Sequence, residues 1–350
     1  MDENLFPDPE QEDQELFEHF RIHVDKGQSL LRIDKFLFNR LENVSRNRVQ
    51  LAADASCVRV NDIPVKSSYR IKPGDMITIV MAKPVREIEL IPQNIPLSIV
   101  FEDEDVLVVD KPAGMVVHPA YGNYSGTLVN ALLWHFGHRE IIRSTDEKGV
   151  RPGLVHRIDK NTSGLLVIAK NEKAITVLAR QFFDHDVERS YTALVWGDLI
   201  ENEGTITGHI GRNIRDRKIM QVFPEGDQGK PAVTHYSVME RFRYVTLVEC
   251  RLETGRTHQI RVHFSHLRHP LFNDDSYGGE KVLKGPPFTK YKQFVENCFE
   301  MLPRQALHAK TLGFIHPITS KRLRFESPLP HDFEKMLQKW REYSALEKIS

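Results

Sequence analysis

The sequence predicts an α+β fold: a large domain on a mixed, largely antiparallel sheet, preceded by a small N-terminal α/β module. Three observations carry that expectation. Apolar segments of strand and helix length mix over residues 97–350 without the regular alternation of a doubly wound parallel sheet. Before them, residues 21–83 combine two short amphipathic helical patterns with a hairpin signal. Between the two, residues 84–96 carry Pro84, Pro92 and Pro96 and no periodicity, as a linker does. At 350 residues the chain is long enough for one large domain, a small one and a substantial core.

In chain order, residues 1–20 come first, with eight Asp or Glu, no Lys or Arg and few apolar residues. They are expected to be a disordered acidic leader. From Ser29 onward, Leu30, Ile33, Phe36, Leu37 and Leu41 recur at helical spacing, with Arg32, Lys35 and Arg40 on other faces. Ser45 can cap a second helix through Val49 and Leu51. Arg46 and Arg48 in its first turn oppose the helix dipole, and cations placed there suggest an external anion. Val58 and Val60 alternate with Arg59, Asn61-Asp62 is a turn signal, and Lys72-Pro73-Gly74-Asp75 leads into a strand from Met76 to Met81. In the large domain, strands are expected at Val100-Phe101, Val106 to Val109, Leu165 to Ala169, Tyr191 to Trp196, Val233 to Val238 and Val245 to Leu252. A helix is expected from Asn171 to Phe183, and KPAGMVVHP, Lys111 to Pro119, is turn-rich. The amphipathic C-terminal stretch with Phe333, Leu337, Trp340 and Leu346 reads as a helix packed on the large domain.

Forty-eight basic residues balance 48 acidic ones, a formal charge of zero that the leader makes misleading. Without its eight acids, the rest of the chain is net basic by eight. Residues 21–83 alone hold twelve basic and six acidic residues, a charge of +6. That is the electrostatic footprint of phosphate binding, although a solvated face gives the same count. Cys57, Cys250 and Cys298 lie far apart without a CxxC pair, so neither disulfides nor a structural zinc site is expected. No apolar run approaches the ~20 residues of a membrane span, and the N-terminus lacks the layout of a secretory signal. A cytoplasmic protein with no membrane partner is expected, and without coiled-coil heptads a monomer is the default.

HRIDKNTSGLLVIAK, His156 to Lys170, carries the densest chemical signal. Asp159 sits among cations on the loop entering the Leu165–Ala169 strand, and loops held by a rigid sheet are where catalytic groups concentrate. On the tetrapeptide alone, an Asx-turn with Asn161, Thr162 and Ser163 is the stronger reading. A second dense segment, Thr254 to Gly279, gathers His258, His263, His266 and His269 with Arg256 and Arg261. His263, His266 and His269 drift around a helix axis and no HExxH pattern supplies a base, so no metal site is read from them. A GxSxG elbow and a GxxxxGK[ST] phosphate loop are absent too. An aspartate flanked by cations is what remains, and a guanidinium beside a carboxylate favours its ionised form and fixes its orientation.

LRIDKFLFNRL, SRNRVQ, VRVND and IKPGDMI resemble the small RNA-binding domain named after a small-subunit ribosomal protein. The match departs from that family at Ser56 and Asp62, where glycine is usual. HRIDKNTSGLLVIAK, VERSYTALVWG, GKPAVTHY, GRTHQIRVHFSHLRHPLFNDDSYGG and RQALHAKTLGFIHP occur in the order seen in pseudouridine synthases of the RluA/RluD family, across nearly all of Leu97 to Pro330. The resemblance implies the pseudouridine synthase fold and isomerisation of uridine in structured RNA, with large-subunit ribosomal RNA the first expectation and transfer RNA the second. It also implies roles for particular residues. Asp159 is the essential aspartate, attacking the sugar or removing a proton from it. Tyr191 packs on the uracil, where the plain reading is a strand-core tyrosine. Arg261 pairs with the carboxylate, although unaided it reads as a surface helix charge. Arg157 fills the space left by the flipped nucleotide, or more simply touches phosphate. Lys111 and Pro112 form the lysine-proline motif beside the site, where the plain reading is an ordinary turn. Arg32, Lys35, Arg46 and Arg48 are the RNA-binding cations of the small module. A stacked uracil cannot rotate, so base flipping is required. Isomerisation needs no redox step and no external group, so neither an organic cofactor nor a metal is implied. The alternative from another class is a noncatalytic RNA-binding or ribosome-assembly factor on the same scaffold.

Overall fold

A computed structural model of the chain describes residues 17–41, 44, 46–81, 90–119, 122–137, 145–146, 149–150, 153–213, 216 and 219–347, and it divides after Glu87 into two units. In the N-terminal unit β1 (Phe17–His23) is followed by α1 (Ile33–Arg40), α2 (Arg46–Asp54), β2 (Val58–Val60), β3 (Ile63–Pro64) and β4 (Met76–Met81). The strands form an antiparallel sheet in the order β1-β4-β2-β3. Ile33, Phe36 and Leu37 of α1 and Val49, Ala52 and Ala53 of α2 bury against Val58, Val60, Ile77 and Ile79. The helical spacing of those residues placed both elements correctly, while Ser45 lies outside the described residues.

One boundary moves. The leader expected to reach residue 20 gives way to β1 at Phe17, whose backbone pairs with β4 from Phe17 opposite Met81 to His23 opposite Met76. Ladder hydrogen bonds satisfy that segment whatever its side-chain charge, so composition alone did not reveal it. Ser56, Asn61 and Asp62 have φ of 58°, 50° and 67°. Left-handed backbone explains why glycine is usual at Ser56 and Asp62. At the turn, Asn and Asp tolerate that conformation, and Asn61 Oδ1 accepts the Met76 N–H at 3.0 Å.

The second unit begins with β5 (Ile99–Glu102), β6 (Val106–Lys111), α3 (Leu128–Phe136) and a two-strand ribbon, β7 (Thr145–Asp146) with β8 (Gly149–Val150). Then come β9 (Ser163–Ala169), α4 (Glu172–Phe183), β10 (Glu188–Trp196), β11 (Glu203–Arg212), β12 (Met220–Phe223), β13 (Lys230–Arg241) and β14 (Val245–Leu252). The chain closes with α5 (Gln259–His266), α6 (Thr289–Met301), β15 (Leu307–Ile315), β16 (Arg322–Glu326) and α7 (His331–Glu347). The main sheet runs β12-β11-β13-β14-β10-β15-β9-β6-β5, with β16 also on β15. Among the described residues only β15 and β9 pair in parallel, so the sheet is mixed and largely antiparallel, as the sequence predicts.

Every residue of β9 is buried, because the sheet is covered on both faces. Leu166 and Ile168 enter one core cluster, and Leu165, Val167 and Ala169 enter another. Asn171 caps α4 by accepting the Ala174 N–H at 2.9 Å, as the expected helix start requires. Phe333, Leu337 and Trp340 of α7 are fully buried against the unit, while Leu346 is exposed. Residues 84–89 of the expected linker lie outside the described ones, and the rest of it contacts α3, where Asn130 Nδ2 donates to Ile91 O at 2.8 Å and Gln93 N donates to Asn130 O at 2.9 Å. Among the described residues no helix is long and apolar enough to cross a membrane.

Where β9 meets β15, Gly164 has φ +116° and lies opposite Ala309, and a Cβ on it would stand 2.2 Å from Ala309 O. Gly164→Ala is therefore expected to cost about 3 kcal/mol from combined strain and overpacking. By calorimetry the melting temperature should fall by roughly 10 °C. An unchanged transition would mean that these strands part freely.

Candidate active site

The loop bearing Asp159 is held from several sides. Gly114 N and Lys111 Nζ both donate to Lys160 O, at 2.9 and 3.0 Å. Arg304 Nη1 donates to Asn161 O at 3.3 Å, and Gln305 Nε2 donates to Thr162 Oγ1 at 3.3 Å. Within the loop, Thr162 N donates to the backbone carbonyl of Asp159 at 3.1 Å. The main chain makes the turn, and the Asp159 carboxylate takes no part in an Asx-turn.

That carboxylate meets Arg261 instead, whose Nη1 donates to Asp159 Oδ2 at 3.1 Å. Arg261 Nε and Nη2 donate to both oxygens of Asp274, at 2.7 and 2.8 Å. Asp274 is fully buried and Arg261 only 5% exposed, so the surface-charge reading of Arg261 fails. Burial alone would lower the Arg261 pKa, but the two carboxylates outweigh it and raise it. An arginine fixed bidentately by a buried aspartate thus presents one of its remaining N–H groups to Asp159.

His258 stands before α5 in a left-handed conformation with φ 57°, its Nε2 3.8 Å from Asp159 Oδ1. Its Nδ1 lies 2.8 Å from Tyr277 Oη, which accepts the Met220 N–H at 2.9 Å. The imidazole is thus held by the Tyr277 hydroxyl on one side, and its Nε2 faces Asp159 on the other. Burial pushes His258 below its ordinary pKa and favours the neutral ring, despite the opposing pull of Asp159.

Asp159, Arg261, Tyr191 and Arg157 line one cleft of about 400 Å³, within the range of small-molecule sites. Tyr191 on β10 is 8% exposed and packs in the core, as the plain reading has it, and it also lines the cleft. Its hydroxyl makes no hydrogen bond among the described residues, and burial pushes its pKa up, so it stays protonated. Arg157 is exposed on the cleft wall.

Lys111 and Pro112, expected to contact substrate, do not line the cleft. Lys111 is 1% exposed, and its ammonium donates to the carbonyls of Pro112, Met115 and Lys160 at 2.8, 2.8 and 3.0 Å. Burial brings it down to about 7. It fastens the end of β6 to the Asp159 loop from behind, while Pro112 is exposed.

In the N-terminal unit, the anion facing Arg46 is internal. Arg32 Nη2, Arg46 Nη2 and Gln50 Nε2 donate to fully buried Asp34 at 3.0, 2.8 and 3.1 Å. Burial would raise the Asp34 pKa, but these hydrogen bonds hold it at about 2. Arg32 and Arg46 remain partly exposed, and Lys35 and Arg48 are exposed on α1 and α2.

The histidines do not converge. His263 Nδ1 meets Thr234 Oγ1 at 2.9 Å, and His269 Nδ1 meets Trp196 O at 2.7 Å. Elsewhere, Asp103, Asp105 and His316 lie close enough together to hold an ion. His316 Nδ1 accepts the N–H groups of Ile318 and Thr319, at 3.2 and 3.0 Å, so its proton sits on Nε2 and is donated to Asp103 Oδ2 at 2.9 Å.

His263 also sets an acid limit. It is fully buried, its Nε2 has no partner, and burial brings it down to about 4. Its folded pKa lies below the unfolded value near 6.5, so the unfolded chain takes up the proton first as pH falls. The stability it confers is complete above pH 6.5 and is lost progressively toward pH 4. In denaturant titrations His263→Leu should flatten the fall in stability over that window, by up to about 1.4 kcal/mol per pH unit. Parallel curves for the two proteins would exclude this origin.

Asp274, His258 and Tyr277 were not singled out as site residues. The one available signal was that an arginine on a buried helix face needs a carboxylate.

Residues 105–266 match the family model described as RNA pseudouridylate synthase, and residues 31–77 match the S4 domain. The chain is 48% identical over 321 residues to an uncharacterized RNA pseudouridine synthase of Chlorobaculum parvum, covering 91% of this chain and 97% of the relative. It is 43% identical over 310 residues to the ribosomal large subunit pseudouridine synthase D of Zymomonas mobilis, covering 88% and 93%. Among solved structures, human RNA pseudouridylate synthase domain containing 4 shares the fold, with a TM-score of 0.51, 23% identity and coverage of 70% of this chain and 93% of that one.

Proposed function

Since the chain belongs to the RluA/RluD family of RNA pseudouridine synthases, we propose that it isomerises specific uridines of large-subunit ribosomal RNA, with Asp159 as the reacting carboxylate. The observation that carries this reading is the Asp159 carboxylate held by Arg261 in a cleft walled by Tyr191. The target nucleotide leaves the RNA stack and enters with its uracil against the Tyr191 ring, where an aromatic face suits any planar base. Arg157 lies on the cleft wall, where it can fill the vacated space or hold phosphate.

Asp159 then either attacks the sugar or removes a proton from it, and the bond from C1′ to N1 breaks. The freed uracil turns within the cleft and rejoins through C5. N1 gains a proton and C5 loses one, so composition and oxidation state are unchanged. The protonated Tyr191 hydroxyl, unengaged by the protein, is placed for the proton steps. Arg261 holds the Asp159 carboxylate in one orientation.

The basic S4 unit, with Arg32, Lys35, Arg46 and Arg48, adds affinity for structured RNA and raises the effective concentration of target near the cleft. A cytoplasmic monomer accounts for this activity.

The reading is tested by mapping pseudouridine in large-subunit ribosomal RNA from cells with and without the gene. Loss of discrete sites is expected. If ribosomal sites persist and transfer RNA sites vanish, the substrate assignment fails. If every site persists, the noncatalytic assembly-factor reading takes over.

A further inference from the structure

Arg189 shares the cleft with Asp159 but lacks the carboxylate partners that Arg261 has. It sits on β10 two residues before Tyr191 and lines the same cleft. Alternate strand residues share a face, so Arg189 and Tyr191 project side by side, roughly 7 Å apart along the strand. Among the described residues Arg189 makes no ion pair, and its buried Nε has no hydrogen-bond partner. Packing holds it instead. Its guanidinium carbon lies 5.3 Å from the Phe182 ring centroid, and Phe182 stacks on His156 at 4.4 Å and 22°. His156 in turn accepts the Val167 N–H of β9 at Nε2, at 3.0 Å. On the other side the chain passes close at Gly255, where a Cβ would stand 3.0 Å from Arg189 Nη1. The guanidinium thus lies over an aromatic stack rooted in the sheet, while its N–H donors are unengaged. A planar fork held that way in a cleft suits a phosphate.

Phe183, next to Phe182, also lines the cleft, yet it is 82% exposed. Asp159 and Tyr191 are far less exposed, with 19% of the Asp159 side chain and 8% of Tyr191 accessible, so Phe183 marks the mouth of the cleft and they mark its interior. An uncovered aromatic beside cations is a surface on which any nucleobase can stack.

We propose that Arg189 and Phe183 form a subsite for the nucleotide next to the extruded uridine, Arg189 binding the linking phosphate and Phe183 stacking on the neighbouring base. The subsite rests on the function proposed above. Stacking reads no base edge, so the subsite favours a free, unpaired neighbour over any particular base.

The test uses the purified full-length protein and an RNA fragment bearing a uridine that the wild type modifies. Arg189→Gln should lower kcat/KM by about thirtyfold. It should also make the slope of log kcat/KM against log salt shallower by roughly 0.7, the value of one phosphate contact on a single strand. Arg189→Lys should keep the wild-type slope, since the charge remains. Phe183→Ala, at an exposed position, should raise KM about tenfold and lower kcat less. A partly unfolded variant loses active protein without changing the slope, so the slope separates a phosphate contact from a structural role. A wild-type slope in Arg189→Gln, or a wild-type KM in Phe183→Ala, overturns the subsite while leaving the pseudouridine synthase reading intact. A wild-type protein that modifies no uridine overturns both.

Discussion

Asp159→Asn is expected to abolish pseudouridine formation, by at least about 10⁴-fold, while leaving the protein folded. An amide of the same shape carries no negative charge, so it can neither attack the sugar nor take a proton from it. Little of the fold depends on the carboxylate. The loop is fastened through the carbonyls of Asp159, Lys160 and Asn161 and the Thr162 hydroxyl, and Arg261 keeps both hydrogen bonds to Asp274. The melting temperature should therefore stay within a few degrees of wild type, as expected for a change of about 1 kcal/mol. RNA incubated with excess protein, digested to nucleosides and quantified by chromatography gives the rate directly. A variant that retains a tenth of wild-type activity would remove Asp159 from the chemistry.

Arg261→Met should produce the largest loss of stability among single changes at the site. It removes the partner of Asp274, a fully buried carboxylate, and an uncompensated buried charge costs about 3–5 kcal/mol. Thermal unfolding should shift down by roughly 10 °C or more, with activity lost as well. The double variant Arg261→Met/Asp274→Leu separates the two effects. With neither charge present, apolar packing should recover much of the stability, because replacing a whole buried pair is often close to neutral. Activity should not return, since Asp159 would still lack the donor that orients it. If activity recovered along with the melting temperature, the role of Arg261 would be structural alone.

The site was legible where its chemistry sits in contiguous residues. Asp159 lies in a short segment that ends in an apolar run, and that run reads as a strand buried on both faces, which places the loop ahead of it. Asp274 was not legible, because Asp275 beside it is chemically identical and only the tertiary fold buries one of them. Lys111 was legible as a residue near the site, but its sequence neighbours do not reveal that the ammonium turns back onto three carbonyls. The cations of α2 were read as waiting for an outside anion because Asp34 lies twelve residues before Arg46, on another helix. Among strands, β9, β10 and β14 stood out as apolar runs, whereas β11 carries glycines at 204, 208 and 211 and a broken burial pattern that hides its period. β1 was masked by acidic neighbours, since backbone pairing leaves no mark on composition.

The fastening of the Asp159 loop decides which molecule moves during the reaction. Its anchors reach back to β6 and to the segment between α6 and β15, so in the role proposed for it the carboxylate is already in position in the free protein. A stationary reactive group leaves the conformational search to the RNA. Uridines in loops or weakly stacked helices should then react faster than those in firm duplex, with a temperature dependence that follows local RNA melting more than any motion of the protein.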